Sequence, residues 1–291
     1  MIQVENLHKR FGNLHAVDGI SFSVKKGELF GFLGPNGAGK TTSLSMIAGL
    51  LKPDEGTVLI DEMDIWQTPL AVKKIIGLVP QEVSLYEELT ARENLHFWGS
   101  LYSLSRSDLA KSIDTLLDRV GLADRANDPV AKFSGGMKRR LNLAAGLVHQ
   151  PRLVFLDEPT VGIDPQSRNN ILDFIRELAQ AGTTIVFTTH HLEEAESLCE
   201  RIAIMDHGKI LATGSVEELA KLVGDGDMIS IHGKFSALEF KSVFDNGSVK
   251  VISVADNTAT CILPQGGWTI AQFMHHLTEA HLEILDLSIQ K

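Results

Sequence analysis

The sequence is poor in cysteine, in basic residues and in long apolar runs. Only two of its 291 residues are cysteines, Cys199 and Cys261, and they stand far apart in unrelated contexts. Such a pair excludes a disulfide framework and offers no metal-ligand spacing, so we expect two buried, reduced thiols in a cytosolic protein. No apolar run approaches the roughly 18 residues needed to cross a bilayer, and the first residues, MIQVENLHKRFG, lack a signal-peptide pattern. We therefore expect a chain that is soluble by itself, which does not exclude docking on a membrane protein.

Positive charge is scarce as well. The chain has 27 lysines and arginines against 37 acidic residues, a formal net charge of −10. This balance disfavours broad binding to a phosphate backbone, so we expect no nucleic-acid partner. The sequence has no internal repeat and no low-complexity tract, and a hydrophobic content of 44% with 22% charged residues is typical of a globular protein. The length suits one large domain or two ordinary ones.

What the chain does have is a glycine-rich loop, GPNGAGKTT, from Gly34 to Thr42. It follows the apolar run Leu29 to Leu33 and precedes a helical pattern that begins near Thr42, and it matches the G-x-x-x-x-G-K-[ST] pattern. A triphosphate needs many N–H donors at close range, which glycines permit because no Cβ atom intervenes. Lys40 can reach the β- and γ-phosphates, and the Thr41 hydroxyl can bind Mg²⁺. The sequence therefore predicts a nucleotide-binding loop between a strand and a helix.

A second chemical feature lies 117 residues after Lys40, where the apolar run LVFL ends at Asp157-Glu158. The continuous run predicts a strand buried on both faces of a parallel sheet. Adjacent carboxylates at the end of a buried strand are costly unless they bind metal or transfer protons. Downstream of a phosphate loop, Asp157 has the position of the second Mg²⁺ element, and Glu158 that of a general base for water.

Residue type alone leaves more than one interpretation for each of four further positions. Phe11 precedes the Gly12-Asn13 turn and either stacks on a base or belongs to the core, and Gln81 follows a strand as an ordinary loop residue would. The segment FSGGM (133–137) begins a helix at its cap, Ser134, with Lys138, Arg139 and Arg140 as a solvated basic face in the plainer interpretation. His190, at a strand end, either stabilises charge on a phosphate or lies at the surface.

The rest of the pattern predicts the domain organisation. Residues 1–223 form one domain, with helices over about 85–150 inserted between sheet segments and a capping box at Thr90 to Glu93. The stretch Gly224 to Asp227 marks a boundary. Residues 224–291 follow with the order βαββαβ, which is typical of a small ferredoxin-like module.

Taken together, residues 1 to about 223 resemble the ATP-binding subunit of ABC transporters. The resemblance rests on motifs in the family's order, namely GPNGAGKTT, Gln81 in the Q-loop position, the signature FSGGM, the strand LVFLDE, the connector GIDP and His190 in the switch position. The segments EPTVGIDPQSR and TTHHLEEAE are most similar to those of the ABC-2-type exporter group. The implied fold is an α/β P-loop NTPase core with an antiparallel β subdomain and an inserted helical subdomain, plus the small C-terminal α+β module.

The resemblance also implies roles for individual residues. Phe11 stacks on adenine, Glu158 activates the attacking water, His190 contacts the γ-phosphate and Asp164 lies at a dimer seam. The phosphates of ATP are held by Lys40 and by backbone donors of Asn36, Gly37, Ala38, Gly39, Lys40, Thr41 and Thr42. Mg²⁺ is served by Thr41, Gln81 and, through water, Asp157. The γ-phosphate bound to the other subunit is contacted by Ser134, Gly135 and Gly136; the family's common Gln is replaced here by Met137, which puts only that side-chain contact in doubt.

Partners follow from the same resemblance. One phosphate loop and one signature lie too far apart to share one ATP, so two cassettes, identical or different, pair head to tail around two nucleotides. We expect a dimer at the inner face of the cell membrane, attached through a separate integral membrane permease, with the Gln81 region transmitting the closure. The function implied is ATP hydrolysis that powers transport, in the export direction. The alternative is a non-transport ABC ATPase acting on ribosomes or DNA, which the single cassette and the acidic balance disfavour.

Overall fold

The computed structural model describes residues 1–223, 226–244, 249–255, 257–264, 267–280 and 282–290. Two of the residues outside these ranges, 224 and 225, fall in the boundary predicted from the sequence. The chain forms two compact units, Met1–Val216 and Glu217–Lys291.

Strands alternate with helices through most of the first unit and again in the second. The strands of the described residues are β1 Ile2–Phe11, β2 Leu14–Val24, β3 Leu29–Leu33, β4 Glu55–Ile60, β5 Met63–Asp64, β6 Ile76–Val79, β7 Leu153–Asp157, β8 Thr184–Thr189, β9 Arg201–Asp206, β10 Lys209–Gly214, β11 Gly226–Lys234, β12 Lys250–Ala255, β13 Thr258–Pro264 and β14 Glu283–Gln290. The α-helices are α1 Lys40–Ile47, α2 Pro69–Lys73, α3 Ala91–Ser100, α4 Arg106–Arg119, α5 Gly135–Leu147, α6 Pro165–Gln180, α7 Leu192–Leu198, α8 Val216–Val223, α9 Ala237–Val243 and α10 Ile270–Glu279.

The centre of the first unit is a six-stranded sheet in the order β10-β9-β3-β8-β7-β6. Strands β9, β3, β8, β7 and β6 are parallel, and only β10 runs antiparallel, at the edge. Every residue of β7 and β8 is buried, which explains their near-continuous apolar sequences, because both faces of a parallel sheet are covered. The carboxyl ends of β3, β6, β7 and β8 meet at one edge of this sheet, where ligands bind in such folds.

A second sheet, antiparallel, has the order β2-β1-β4-β5. Its strands alternate buried and exposed residues, as in the pattern of Ile2, Gln3 and Val4 along β1, because one face packs on a core and the other meets solvent. Residues of both sheets, among them Val58 and Phe32, share one hydrophobic cluster. The antiparallel sheet thus packs with the large sheet around one core.

The segment between β6 and β7 is helical, as predicted. It contains α3, α4 and α5 together with two short 3₁₀ turns. The capping box is present: the Thr90 hydroxyl accepts a bond from the Glu93 N–H, and the Glu93 carboxylate accepts one from the Thr90 N–H. In the part of the chain that the structure describes, no helix combines the length and apolar character needed to cross a bilayer.

One helix boundary differs from the sequence prediction. The apolar spacing indicated a helix that begins near Thr42 and continues to Leu51, whereas α1 begins at Lys40 and ends at Ile47. Gly49 adopts a positive φ of 70°, and the Leu50 N–H turns back to the Ser45 carbonyl at 2.9 Å. A left-handed glycine that closes the last turn is a common helix stop, and it outweighs the apolar periodicity that runs past it.

The second unit has the predicted βαββαβ order. Its antiparallel sheet has the strand order β12-β13-β11-β14, which is the arrangement of a ferredoxin-like module, and α9 and α10 supply Phe240 and Phe273 to its hydrophobic core. Together the two units give the predicted fold class, an α/β core with antiparallel and helical subdomains and a small α+β module.

Both cysteines are buried, free thiols. Burial raises the pKa of Cys261 to about 12 and also raises that of Cys199. We expect neither thiol of the folded chain to react with Ellman's reagent at pH 8, whereas two thiols per chain react once it is unfolded in guanidinium. Rapid labelling of the native chain would contradict the burial.

The raised pKa values also predict how stability depends on pH. Because the unfolded thiols ionise at a lower pH than the folded ones, the free energy of unfolding should fall as pH rises above about 8.5.

Candidate functional site

The glycine-rich loop connects β3 to α1, and its geometry requires glycine at two places. A Cβ on Gly34 would lie 2.1 Å from the Met205 carbonyl oxygen, and one on Gly39 would lie 2.4 Å from that of Ala16. Gly39 is also the N-cap of α1, with a φ of 103° and no side-chain cap. The amide groups of the first turn of α1 are therefore left for a ligand, and the helix dipole adds positive potential there.

Lys40 lies inside this loop. Its side chain is buried, and its Nζ donates to the Gly34 carbonyl at 2.7 Å and to the Pro35 carbonyl at 3.0 Å. The same Nζ lies 3.2 Å from Glu158 Oε1. The ammonium is thus placed between the loop and the carboxyl end of β7, where a γ-phosphate would need a cation.

Asp157 ends strand β7 and is buried. Its Oδ1 accepts a hydrogen bond from Thr188 Oγ1 at 2.6 Å and one from Thr41 Oγ1 at 3.1 Å. A hydroxyl at the helix start beside a buried carboxylate is the kind of oxygen set that Mg²⁺ prefers. The two residues predicted from separate motifs to serve Mg²⁺ therefore lie in contact and fit the ion.

Glu158 follows directly and has an unusual backbone. Its φ is +42°, a left-handed conformation that a non-glycine residue rarely adopts, and its N–H donates to Thr188 Oγ1 at 2.9 Å. The carboxylate is buried, with Oε1 towards Lys40 and Oε2 3.2 Å from His190 Nδ1. His190 is exposed at the surface and also contacts Glu158, so a cation, a carboxylate and an imidazole converge here, and its contact with a γ-phosphate stays a prediction.

The predicted signature residues lie at the start of α5. Ser134 caps that helix by accepting a bond from the Met137 N–H, and Gly135 is exposed whereas Gly136 is buried. A Cβ on Gly136 would lie 2.5 Å from Ser167 Oγ and 3.1 Å from Asp164 Oδ2. The signature and the GIDP connector are thus adjacent.

Asp164 caps α6. Its Oδ1 accepts a hydrogen bond from the Ser167 N–H at 2.9 Å, and this bond lowers the pKa of Asp164. The carboxylate is exposed. Asp164 and Ser134 therefore cap two helix starts that lie next to each other.

Two other predicted residues are exposed. Phe11 is 51% exposed, so the core interpretation of Phe11 is wrong, and stacking on a base stays a prediction. The Gln81 side chain is exposed, while its carbonyl accepts a bond from Arg139.

The structure adds three residues that the sequence did not single out. Arg139 was expected on a solvated basic face, and this was wrong, because it is 3% exposed and bonded to backbone carbonyls. Thr188 holds Asp157 and the Glu158 N–H. Glu194, 1% exposed, accepts bonds from Thr160 and Thr189 and pairs with Arg168. In the sequence, Arg139 is visible only as a basic residue in the helix that follows the signature. That pattern does not indicate whether its side chain is buried or exposed.

Comparison with known proteins agrees with this geometry. Residues 17–161 match the family model described as ABC transporter. The chain is 48% identical over 231 residues to the linearmycin resistance ATP-binding protein LnrL of Bacillus subtilis, covering 79% of this chain and 74% of that protein.

The chain belongs to the ABC transporter family.

Two further relatives extend the match. The daunorubicin/doxorubicin resistance ATP-binding protein DrrA of Streptomyces peucetius is 37% identical over 99% of this chain and 88% of its own length. The Nod factor export ATP-binding protein I of Sinorhizobium fredii is 42% identical over 80% of this chain and 68% of its own length. The first of these alignments covers 99% of the chain and therefore extends over the second unit.

A solved ABC cassette gives the same fold. The dimeric structure of the cassette MJ0796 in a post-hydrolysis state, bound to ADP and Pi, superimposes with a TM-score of 0.68 at 28% identity, covering 74% of this chain and 99% of that one. The predicted family, the P-loop fold and the ATPase activity of an ABC transporter subunit of the exporter kind are confirmed. The relatives do not favour the non-transport alternative.

Proposed function

We propose that this ABC transporter subunit binds MgATP at the Gly34–Thr42 loop and hydrolyses it with Glu158 as the general base, in a dimer that drives export through a separate permease. The observation that carries the proposal is the convergence of Lys40, Glu158 and His190 within 3.2 Å contacts at the loop. Three groups of these types, at the end of a phosphate-binding loop, suit in-line attack of water on a γ-phosphate.

Each group has a separate task in this proposal. Lys40 leaves the loop carbonyls for the phosphate oxygens, Glu158 takes the proton of the attacking water, and His190 donates to the γ-phosphate while its other contact orients Glu158. Mg²⁺ would be held by Thr41, by Gln81 and, through water, by Asp157, and it would neutralise charge on the phosphates. Phe11 stacks on adenine, for which its exposed ring is available.

We further propose that the second half of each site comes from another cassette. Ser134, Gly135 and Gly136 bind the γ-phosphate of the partner's ATP, and Asp164 lies at the seam. The exposed start of α5 supports this proposal, because a capped helix N-terminus is a ready site for an anion, and so does the dimeric form of the related cassette.

The domain assignment belongs to the same proposal. Residues 1–223 act as the ATPase domain, with the helical subdomain over about 85–150, and residues 224–291 form the accessory module. The subunit works as a peripheral protein at the inner face of the cell membrane.

The permease contact is proposed at an exposed aromatic cluster next to the Gln81 loop. Tyr86 and Phe97 contact each other at 4.8 Å between ring centroids and are 44% and 37% exposed. Large apolar side chains exposed together are typical of a protein interface, and aromatic residues are enriched in such interfaces. Closure of the ATP site would reach this cluster through the loop that follows β6.

The test is affinity capture of the tagged full chain from detergent-solubilised native cells, with quantitative mass spectrometry. We expect one multi-span membrane protein at near-equal stoichiometry, reduced at least about tenfold by Phe97→Asp because truncating an aromatic anchor typically costs 2 kcal/mol or more. Leu238→Asp, an equally apolar and 83% exposed residue of the second unit, should not reduce it. Ribosomal proteins or nucleic acid without a membrane partner would favour the alternative function.

A further inference from the structure

Arg139 lies in the second turn of α5, the helix that begins with the signature. Its guanidinium is 3% exposed, although it carries a charge. Burial lowers the pKa of Arg139, and the charges of Asp157 and Glu158 oppose that shift, so the group stays protonated. A buried cation in this position needs an explanation, because burying an unpaired charge is costly.

The guanidinium uses all of its donors on the backbone. Nη1 donates to the Pro80 carbonyl at 3.0 Å and to the Gln81 carbonyl at 2.5 Å. Nη2 donates to the Asp157 carbonyl at 3.2 Å and to that of Glu158. Nε donates to the Pro159 carbonyl at 2.7 Å. An arginine has five N–H donors in a rigid planar fork, and here each meets one carbonyl.

These carbonyls belong to two places in the site. Pro80 and Gln81 follow β6, whereas Asp157, Glu158 and Pro159 end and follow β7, the parallel neighbour of β6. One side chain therefore connects both strand ends to α5. The left-handed backbone of Glu158 turns its carbonyl towards this cation, so the contact also explains how that unfavourable conformation persists.

We propose that Arg139 is a positioning residue for ATP hydrolysis, which holds Glu158 and the Gln81 loop at fixed places relative to the signature helix. The proposal rests on the roles proposed above for Glu158, Gln81 and Ser134. Its consequence is mechanical: groups that act on the chain's own ATP and the group that acts on the partner's ATP share one rigid connection. Movement of α5 at dimer closure then moves the carboxyl end of β7 and the Gln81 loop with it.

Arg140 provides a matched control. It is the next residue of the same helix and also donates to backbone carbonyls, Val120 at 2.5 Å and Gly121 at 3.4 Å. These carbonyls follow α4 in the helical subdomain, away from the strand ends. Replacing Arg140 by Met therefore removes a similar guanidinium from the same helix without releasing Glu158 or Gln81.

The experiment measures steady-state ATP hydrolysis by the full chain, with kcat and KM determined separately. We expect Arg139→Met to lower kcat at least about tenfold, because a displacement of 1 Å in a reacting group can cost about 100-fold. KM for ATP should change less than about threefold, since Lys40 and the phosphate loop are untouched. Arg140→Met should change kcat less than about threefold.

A second variant guards against a folding defect. Arg139→Lys keeps the buried charge, but one ammonium cannot reach both strand ends, so its kcat should fall between those of the wild type and Arg139→Met, with the far-ultraviolet circular dichroism of the wild type. If Arg139→Met does not fold, the kcat of the lysine variant tests the positioning role instead. A loss of folded fraction lowers apparent kcat without changing KM, so kcat is expressed per folded molecule from the circular dichroism. The proposal is wrong if kcat per folded molecule of the Arg139 variants equals that of Arg140→Met.

Glu158→Gln in the same assay separates the two levels of inference. If that variant hydrolyses ATP at the wild-type rate, the proposed role of Glu158 is wrong and the Arg139 proposal falls with it. If it is inactive while Arg139→Met keeps the turnover of Arg140→Met, only the positioning role of Arg139 is wrong.

Discussion

Replacing Glu158 by Gln should lower kcat for ATP hydrolysis by about 10³, within the range that a general base contributes. The amide cannot take a proton from water, yet it has the size of the carboxylate and can still contact His190, 3.2 Å from Glu158 Oε2. ATP binding should persist, because the loop and Lys40 are unchanged. Phosphate release and the titration of a fluorescent ATP analogue measure the two quantities.

The same variant should also dimerise in saturating MgATP, since nucleotide is bound but not hydrolysed. Static light scattering of the full chain gives the mass directly. Turnover at the wild-type rate would remove Glu158 from its role, and a mass of one chain under these conditions would count against the paired-cassette arrangement.

Glu28 is the matched control for this experiment. It is a second buried carboxylate of the first unit, 4% exposed, and it bonds Arg201 at 2.9 Å and the Lys25 N–H at 2.6 Å. It lies just before β3, at the end of the sheet opposite to the phosphate loop. Glu28→Gln should lower thermal stability and leave kcat within about threefold of the wild type.

Replacing Lys40 by Met should weaken ATP binding by about 100-fold, because the removal of one partner from a desolvated charge pair typically costs 2–5 kcal/mol. The ammonium lies inside the loop and donates to the Gly34 and Pro35 carbonyls. Among the described residues, the basic side chains that contact the Glu158 carboxylate are Lys40 and His190. Isothermal titration with ATP and Mg²⁺ measures the change.

Lys234→Met is the control for that change. Lys234 pairs with Glu283 at 2.8 Å in the second unit, and its loss should leave ATP affinity unaltered. Equal affinities of the Lys40 variant and the wild type would show that the ammonium does not bind the phosphates.

The sequence predicted the chemical groups better than their contacts. The loop from Gly34 to Thr42 and the carboxylates at Asp157 and Glu158 followed from local patterns, because a phosphate loop and a buried strand each require particular residues at fixed spacing. The fold class followed from the family resemblance that these motifs carry. The residue type of His190 left its role open. A histidine at a strand end gives the same local sequence pattern whether its side chain faces a site or solvent.

Arg139 illustrates where local patterns fail. In the run KRR its spacing on α5 is compatible with an exposed face, and the carbonyls that solvate it come from residues 58 or 59 positions earlier and from 18 to 20 positions later in the chain. Glu194 is a similar case, because its partner Thr160 lies in the connection after β7 and its partner Arg168 lies on α6. Burial of a charge depends on which distant backbone groups converge on it, and that information is not local.

The sequence by itself therefore determined which segments become strands and helices, which loop can hold a triphosphate and which family the motifs resemble. These properties depend on residues close together in the chain, through hydrophobic periodicity, glycine conformation and helix capping. Only the tertiary structure decided that Lys40, Glu158 and His190 meet, that Thr41 and Thr188 share Asp157, and that Arg139 joins two strand ends to the signature helix. The physical reason is that the parallel sheet brings the carboxyl ends of distant strands to one edge, where contacts depend on strand order and not on sequence separation.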